Sequence, residues 1–297
     1  MDNAIKQDNY QFGVSTWVWQ SPFTTESISL FPKIKAMGFD VVEIPVEDPE
    51  LIHAPTIKHA LKDNGLKPTV CGVFGPTKDL TSDDISLHDN CFKYLEKCFE
   101  LGSYLEVDFL AGPMYSAVGK ARMVSDEQRK IEWQRAVTNL GKACTIGASF
   151  GQRVALEPLN RFESDMVNTA EDVLRLVKDI NHANAKVLLD GFHMTIEEKN
   201  IRKAINTVGE HLIHVQVSEN HRGIPGTGLT PWNDFYDGLQ DVGYKGAIVI
   251  ESFTPEIKEL AGAVCIWKHM AKSQDQFASQ GLGFLKNTFG KSMEKAH

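Results

Sequence analysis

Short apolar runs alternate with longer amphipathic stretches along most of the chain. Eight of the runs have the length and the β-branched composition of buried strands. They are FGVSTWVW (12–19), VVEIPV (41–46), KPTVCGVFG (67–75), YLEVDFLAG (104–112), RVALEPL (153–159), KVLLDGFHM (186–194), LIHVQVSE (212–219) and GAIVIESF (246–253). The pattern therefore predicts eight strands.

Seven stretches between these runs have the apolar spacing of amphipathic helices. They are ESISLFPKIKAMG (26–38), APTIKHALKDNG (54–65), SLHDNCFKYLEKCFELG (86–102), QRKIEWQRAVTNLGKACTIGASFG (128–151), TAEDVLRLVKDI (169–180), NIRKAINTVG (200–209) and WNDFYDGLQDVG (232–243). Thr169 and Asp172 have the spacing of a capping box. Pro32 predicts that the first helix starts late or kinks.

Strands that alternate with helices pair in parallel, because each helix carries the chain back to the same end of the sheet. Eight such units fit a single (β/α)8 TIM barrel. A doubly wound open sheet is the alternative, but the dinucleotide fingerprint GxGxxG is absent after the first strand. No linker or change of composition divides the chain. We therefore predict one barrel domain over residues 1–297, with its core at about 11–290.

Composition and charge restrict the class of protein. The chain is 42% hydrophobic and 24% charged, without an apolar run long enough to span a bilayer, which predicts a soluble protein and no membrane partner. A net charge of −8 argues against nucleic acid as a partner. The N-terminus lacks the pattern of a signal peptide, so a cytoplasmic location is expected. The five cysteines are scattered and are expected to be reduced.

Polar side chains interrupt the last four strand runs near their C-terminal ends. They are Glu157, Asp190, Gln216 and Glu251, separated by 33, 26 and 35 residues, about one strand, loop and helix each. In a parallel barrel these ends converge on one mouth, which is where TIM-barrel chemistry lies. A single acid of this kind is more often part of a salt bridge or a helix cap. Four equivalent positions in successive units predict a shared site.

Three carboxylates in a partly apolar mouth repel one another, and a divalent cation removes the conflict. With the amide oxygen of Gln216 the predicted ligands are all oxygen, a set that favours a hard ion. We expect one metal ion per chain, Mn²⁺ or Mg²⁺ first and Co²⁺ as a further option.

Further polar residues follow the predicted ligands in the loops. Each lies a few residues after a predicted ligand: Glu163 is six after Glu157, His193 is three after Asp190, and Arg222 is six after Gln216. They are suited to contact a hydroxylated or anionic small molecule, although each alone is as often a loop residue bonded to backbone. His214 is expected in the barrel core or behind the ligands. The aromatic residue Trp17, like Trp19, is expected either to fill the barrel or to wall the pocket.

With these residues in place, the chain resembles the ketose 3-epimerases, the D-tagatose and D-psicose 3-epimerase family among the xylose-isomerase-like barrels. The motifs that carry the resemblance are EPLNRFE (157–163), NTAEDV (168–173), LLDGFHMTIEE (188–198), ENHRGIPGTGLTPW (219–232) and IVIESF (248–253). The resemblance is specific over about residues 153–253 and looser in the first half.

The resemblance implies a metal-dependent epimerase that inverts C3 of a free ketose through an enediolate. It implies that Glu157, Asp190, Gln216 and Glu251 bind the metal, which holds the C2 carbonyl oxygen and the C3 hydroxyl. Glu157 and Glu251 are then the base and acid on the two faces of C3. It further implies that substrate contacts are made by Glu163, His193 and Arg222, and that the enzyme is a homodimer or homotetramer.

One position departs from the pattern, because the family has His where this chain has Gln216. Related barrels with Gln at this position include hydroxypyruvate isomerase and a dehydroshikimate dehydratase. The alternatives are therefore a metal-dependent lyase, dehydratase or epimerase on a 3-keto sugar derivative, and a hydroxypyruvate-isomerase-like aldose-ketose isomerase. A non-catalytic sugar-binding protein is a further alternative.

Overall fold

Every strand of the chain is followed by a helix, and this return path makes neighbouring strands parallel. The computed structural model, which describes residues 10–290, contains eight strands that pair in chain order, with the eighth closing on the first. Their bounds are Gln11–Ser15 (β1), Val41–Val46 (β2), Lys67–Gly72 (β3), Phe109–Gly112 (β4), Arg153–Leu156 (β5), Ala185–Asp190 (β6), Leu212–Val217 (β7) and Ala247–Ile250 (β8). The predicted (β/α)8 TIM barrel is confirmed.

Ten α-helices lie within the described residues. They are Phe31–Met37 (α1), Ala54–Asn64 (α2), Ile85–Tyr104 (α3), Asp126–Ser149 (α4), Ala170–Ile180 (α5), Gly191–Glu197 (α6), Ile201–Val208 (α7), Trp232–Asp241 (α8), Lys258–Ala263 (α9) and Gln274–Phe289 (α10). Helices α6 and α9 are short additions in the loops after β6 and β8. The other eight provide one return path per strand.

Local signals explain several helix ends. The predicted capping box is present, since the Thr169 side chain accepts from the Asp172 amide and the Asp172 side chain accepts from the Thr169 amide. Pro32 lies in the first turn of α1, and a short 3-10 helix, Thr25–Leu30, precedes it. The late start that Pro32 predicted is therefore confirmed. Gly38 ends α1 in the left-handed conformation that glycine adopts without strain.

The structure changes several element predictions. The sixth strand run, expected to reach residue 194, ends at Asp190, directly before α6 begins. The fourth strand begins at Phe109 rather than at residue 104, because α3 runs to Tyr104 and Glu106 has a positive φ of 64° that turns the chain. The first strand ends at Ser15, whose side chain accepts from the Trp17 amide and starts a 3-10 turn. Helix α10 was not predicted. Its residue Phe289 packs edge-to-face on Tyr10 beside β1.

Alternation along the strands separates an outer core from the barrel interior. On β2, Val42 and Ile44 belong to the large core that packs against the helices. Glu43 between them points into the barrel, where its carboxylate meets His214 from β7, a strand that does not adjoin β2. A smaller interior cluster is apolar and comprises Phe109, Ala111, Ala155 and Leu188. The barrel interior therefore contains both a polar contact and an apolar cluster.

Other expectations concern the whole chain. The described cysteines are all free and four of the five are buried, in agreement with the prediction. No helix within residues 10–290 is both long and apolar enough to cross a membrane. The domain extent of 1–297 stays a prediction, because residues 1–9 and 291–297 lie outside the described part.

Gly112 provides a test of the contact between β3 and β4. Its φ is +133°, and an added Cβ would lie 2.0 Å from the Gly72 carbonyl oxygen. Gly112→Ala is therefore expected to destabilise the protein by roughly 2 kcal/mol or more through strain and overpacking. Thermal and urea unfolding measure the change. Gly262→Ala, where nothing lies within 4 Å, is the control, and equal stability of both variants would contradict the prediction.

Candidate active site

The four strand-end residues converge at the C-terminal mouth of the barrel. Asp190 is the last residue of β6 and is paired in register with Gln216 on β7. Glu157 directly follows β5, and Glu251 directly follows β8. All four side chains are nearly inaccessible, with between 0% and 4% relative exposure. The barrel thus brings three carboxyl groups and one amide together out of water.

Arg222 is the cation among these acids. Its Nη1 donates to Asp190 Oδ2 at 2.6 Å and to Glu251 Oε2 at 3.1 Å. The guanidinium lies 3.9 Å from the ring centroid of Phe192 and 5.1 Å from that of Phe253. Arg222 itself has a positive φ of 60° in the loop after β7. The two rings and two carboxylates hold the guanidinium at the centre of the mouth.

His193 lies on α6, one turn from the Asp190 cap, and its ring is buried. The backbone amide of Asn160 lies 2.9 Å from Nδ1, and Arg222 Nη2 lies 3.1 Å from Nε2. A neutral ring has one acceptor nitrogen, so it accepts from only one of these two donors. Nε2 also lies 3.5 Å from Glu157 Oε1. Burial, with the neighbouring Arg222 charge, lowers the pKa of His193 to about 4. The side chain is therefore a neutral donor at physiological pH.

Burial is also the main influence on the two glutamates that follow β5 and β8. It raises the pKa of Glu157 well above its usual value, and the charges of Glu251 and Asp190 raise it further. Burial likewise raises the pKa of Glu251, although Arg222 opposes the shift. A carboxyl group whose pKa is raised keeps its proton to a higher pH than an exposed one, which suits it to general acid or base catalysis.

The donor set fits a divalent cation. Glu157, Asp190 and His193 can each bring one ligand atom within 4.8 Å of the others. A cation at Nε2 of His193 would place the ring proton on Nδ1, so the bond from the Asn160 amide would be lost, and it would displace the Arg222 Nη2 contact at 3.1 Å. Gln216 Oε1 is buried and has no partner among the described residues. A carbonyl oxygen without a donor beside carboxylates is what a cation would satisfy.

A cavity of about 540 Å³ opens above this set. Glu157, His193, Arg222 and Glu251 line its floor, and Glu163 lies at its wall with Oε1 accepting from Asn160 Nδ2 at 2.7 Å. The seven residues predicted for the site are therefore placed within one region. Their roles stay predictions.

The two tryptophans of the first strand run have different positions. Trp17 lines the cavity, lies 5.4 Å from Phe253 between ring centroids, and donates from Nε1 to Glu47 Oε1 at 2.7 Å. Trp19 donates instead to Asp275 on α10. The pocket-wall alternative thus holds for Trp17, whereas Trp19 joins the first strand region to the last helix.

Three polar residues of the site were missed in the sequence. Glu43 interrupts VVEIPV as Gln216 interrupts its own strand, so the same search applied to the second strand would have found it. Asn160 is inside the EPLNRFE motif, between two predicted site residues. Glu47 follows β2 directly and lines the cavity. Glu43 and Glu47 belong to the second unit, outside the last four strands to which the predicted site was confined. Asn160 lies inside a predicted motif, where no separate signal distinguishes it.

Known proteins resemble the chain over most of its length. Residues 31–287 match the family described as xylose isomerase-like TIM barrel. A probable ketose 3-epimerase from Synechocystis sp. is 30% identical over 96% of this chain and 99% of its own. D-psicose 3-epimerase from Ruminiclostridium cellulolyticum is 29% identical over 89% of this chain and 91% of its own. A D-allulose 3-epimerase from Methylomonas sp., solved with D-allulose, has a TM-score of 0.87 at 28% identity, covering 95% of this chain and 98% of its own.

The raised carboxyl pKa values predict a pH dependence of stability. Folding raises the pKa of Glu157 from its value in the unfolded chain, near 4.5. The protonated group contributes its full stabilisation below that unfolded-state pKa. This contribution is lost as pH rises through the pKa of the folded protein. His193 acts in the opposite sense, because its pKa falls from 6.5 to about 4 on folding. His193 is present in both wild type and the Glu157 variant, so its contribution cancels in the difference between their stabilities.

With EDTA present, Glu157→Gln is therefore expected to gain stability relative to wild type as pH rises from 5 to 8. The expected gain is up to about 1.4 kcal/mol per pH unit. Urea unfolding at several pH values measures it, and Glu251→Gln should change in the same direction. A difference that does not vary with pH would show that Glu157 binds no extra proton in the folded protein.

Proposed function

Because the chain belongs to the xylose isomerase-like TIM barrel family and, within it, to the ketose 3-epimerases, we propose that it inverts C3 of a free ketose. The observation that carries the proposal is the pair Glu157 and Glu251, two buried carboxyl groups that follow β5 and β8 and share the mouth with Arg222 and His193. Inversion needs one group to remove a proton from one face of C3 and another to return it to the opposite face.

Glu157, Asp190, Gln216 and Glu251 would hold a divalent cation in this reaction. When bound, the cation polarises the ketose carbonyl and acidifies the neighbouring C3–H bond. The all-oxygen donor set favours Mn²⁺ or Mg²⁺, with Co²⁺ as a further option. Gln216 supplies a neutral ligand, which limits the repulsion among the three carboxylates.

The protein's own groups handle the protons and orient the sugar. The carboxylate of Glu157 or Glu251 takes the C3 proton, and the other, protonated, returns one from the opposite face. Which glutamate acts as base depends on the configuration of the ketose. The ring of His193 lines the cavity and contacts a substrate oxygen. Charge that develops on the enediolate oxygens lies near Arg222.

The charge of the cavity favours an unphosphorylated sugar. Its titratable lining residues are acidic except for His193, Cys71 and Arg222, and Arg222 Nη1 already contacts Asp190 and Glu251. The acidic side chains of the lining are Glu47, Glu157, Glu163, Glu251 and Glu259. A phosphate dianion would enter without a free cation among these lining residues. A neutral ketose would instead use hydroxyl groups as donors to the carboxylates, with Trp17 and Phe253 beside its apolar face.

Three finer expectations belong to this proposal. The preferred metal is Mn²⁺ or Mg²⁺, the enzyme is a homodimer or homotetramer, and its location is cytoplasmic. The first rests on the donor chemistry and the second on the resemblance to the ketose 3-epimerases.

The reaction itself is tested by incubating the Mn²⁺-loaded protein with free ketoses in deuterated water. We expect the C3 epimer to form with deuterium at C3. Glu157→Gln and Glu251→Gln should each lower kcat by about 10²–10⁴-fold, because each removes a proton-transfer group. Glu256→Gln, an exposed change five residues beyond Glu251, is the control. Formation of an unsaturated product without an epimer would indicate a lyase, and exchange at C1 alone would indicate an aldose-ketose isomerase.

Metal binding is tested separately at Gln216. Gln216→Ala removes one proposed ligand while leaving the packed barrel floor in place, so affinity for Mn²⁺ should fall by about tenfold or more. Isothermal titration calorimetry measures the affinity, and circular dichroism measures the fold. The exposed Gln134→Ala on α4 serves as the control. Unchanged Mn²⁺ affinity in Gln216→Ala would remove this residue from the proposed ligands.

A further inference from the structure

Glu43 is a carboxylate in the barrel interior that the proposed reaction does not use. Its side chain is fully buried on β2. Three side chains surround its two oxygens: His214 Nε2 is 2.7 Å from Oε2, Thr69 Oγ1 is 3.3 Å from Oε2, and Gln216 Nε2 is 2.7 Å from Oε1. With a carboxylate as partner, His214 must carry its proton on Nε2 and donate. Glu43 is therefore held in place and accepts from Gln216.

The Gln216 amide is fixed by two carboxylates. Its Nε2 donates to Glu43 Oε1 at 2.7 Å and to Glu251 Oε1 at 2.9 Å, whereas its Oε1 has no partner among the described residues. Both protons of the amide nitrogen are thus engaged. Rotating the amide by half a turn would lose both bonds and place Oε1 against two carboxylate oxygens. Because the Glu43 and Glu251 carboxylates accept from the amide nitrogen of Gln216, its oxygen Oε1 faces away from them.

This orientation matters because an amide is an ambiguous ligand. The two oxygens of a carboxylate are equivalent, so Asp190 and Glu157 present an acceptor in either rotamer. A glutamine that turns over presents N–H groups, which a cation repels. Glu251 cannot control Gln216 alone, because its other oxygen holds Arg222 and it is itself a proposed metal ligand.

We propose that Glu43 is a positioning residue that orients the Gln216 amide so that Oε1 is available to the divalent cation. The inference rests on the proposed function, since it assigns Glu43 a role toward the same metal. His214 and Thr69 hold the Glu43 carboxylate, and Glu43 holds the amide nitrogen. Glu43 acts through Gln216 and contacts neither the metal nor the sugar.

Titration of Mn²⁺ into the full-length protein and its variants tests this role. Glu43→Leu removes the acceptor, and we expect Mn²⁺ affinity to fall by about 10- to 100-fold, as for other residues that orient ligands. Glu43→Gln keeps an oxygen for Gln216, while its amide can donate to His214 in the other tautomer, so it should stay within a few fold of wild type. Glu96→Leu, the same substitution at an exposed position of α3, is the control and should leave Mn²⁺ affinity unchanged.

A double-mutant cycle separates positioning from direct electrostatics. If Glu43 acts through Gln216, Glu43→Leu should cost no further Mn²⁺ affinity when Gln216→Ala is already present. An equal loss in both backgrounds would overturn the proposal and assign the effect to the charge of Glu43. A loss in Glu43→Gln as large as in Glu43→Leu would lead to the same conclusion.

Two further results keep this proposal distinct from the proposed function. If wild type does not bind Mn²⁺, the metal-dependent function fails; if it binds and Glu43→Leu binds equally well, only the role of Glu43 fails. If Glu43→Leu does not fold, NMR of the wild-type protein with Mg²⁺ follows the side-chain amide protons of Gln216. Their signals are identified as those that disappear in Gln216→Ala. Two distinct, slowly exchanging amide protons are expected, and one averaged, rapidly exchanging signal would overturn the proposal.

Discussion

Repulsion among buried carboxyl groups is the constraint on which the mouth of this barrel depends. Glu157, Asp190 and Glu251 lie together with almost no exposure to water. Burial raises the pKa of Glu157 and of Glu251, and neighbouring carboxylates raise both further, whereas the Arg222 charge lowers them. The surrounding residues either supply positive charge, as Arg222 does, or supply a neutral donor, as His193 does. The proposed cation would relieve the same repulsion.

The barrel supports this unfavourable cluster with apolar contacts and fixed hydrogen bonds. Phe192 and Phe253 flank the Arg222 guanidinium, so the cation is held by rings as well as by acids. Asn160 links the ring of His193 to Glu163 through its backbone and side-chain amides. The interior below is closed by small and apolar residues. The cost of the buried acids is therefore distributed over a rigid set of neighbours, which also preorganises the site.

Much of the fold could be predicted because its signals are local. The β-branched runs, the Thr169 capping box and Pro32 at the start of α1 each act within a few residues of their own position. The predicted end of β1 and the predicted start of β4 were less accurate. The Ser15 side chain caps a 3-10 turn that ends β1, and the positive φ at Glu106 delays the start of β4. Helix α10 was not predicted, and its residue Phe289 packs against Tyr10 and Trp232, which are distant in the sequence.

The sequence by itself determined the eight βα units and the polar residues at the ends of the last four strands. Both follow from periodicity along the chain, which needs no knowledge of distant contacts. Only the tertiary structure decided which atom of Gln216 is free, because that depends on carboxylates 173 and 35 residues away. The surroundings of the His193 ring are decided in the same way, because an amide 33 residues away and the Arg222 guanidinium face its two nitrogens. Hydrogen-bond direction depends on partners that closure of the barrel brings together, and sequence spacing does not specify it.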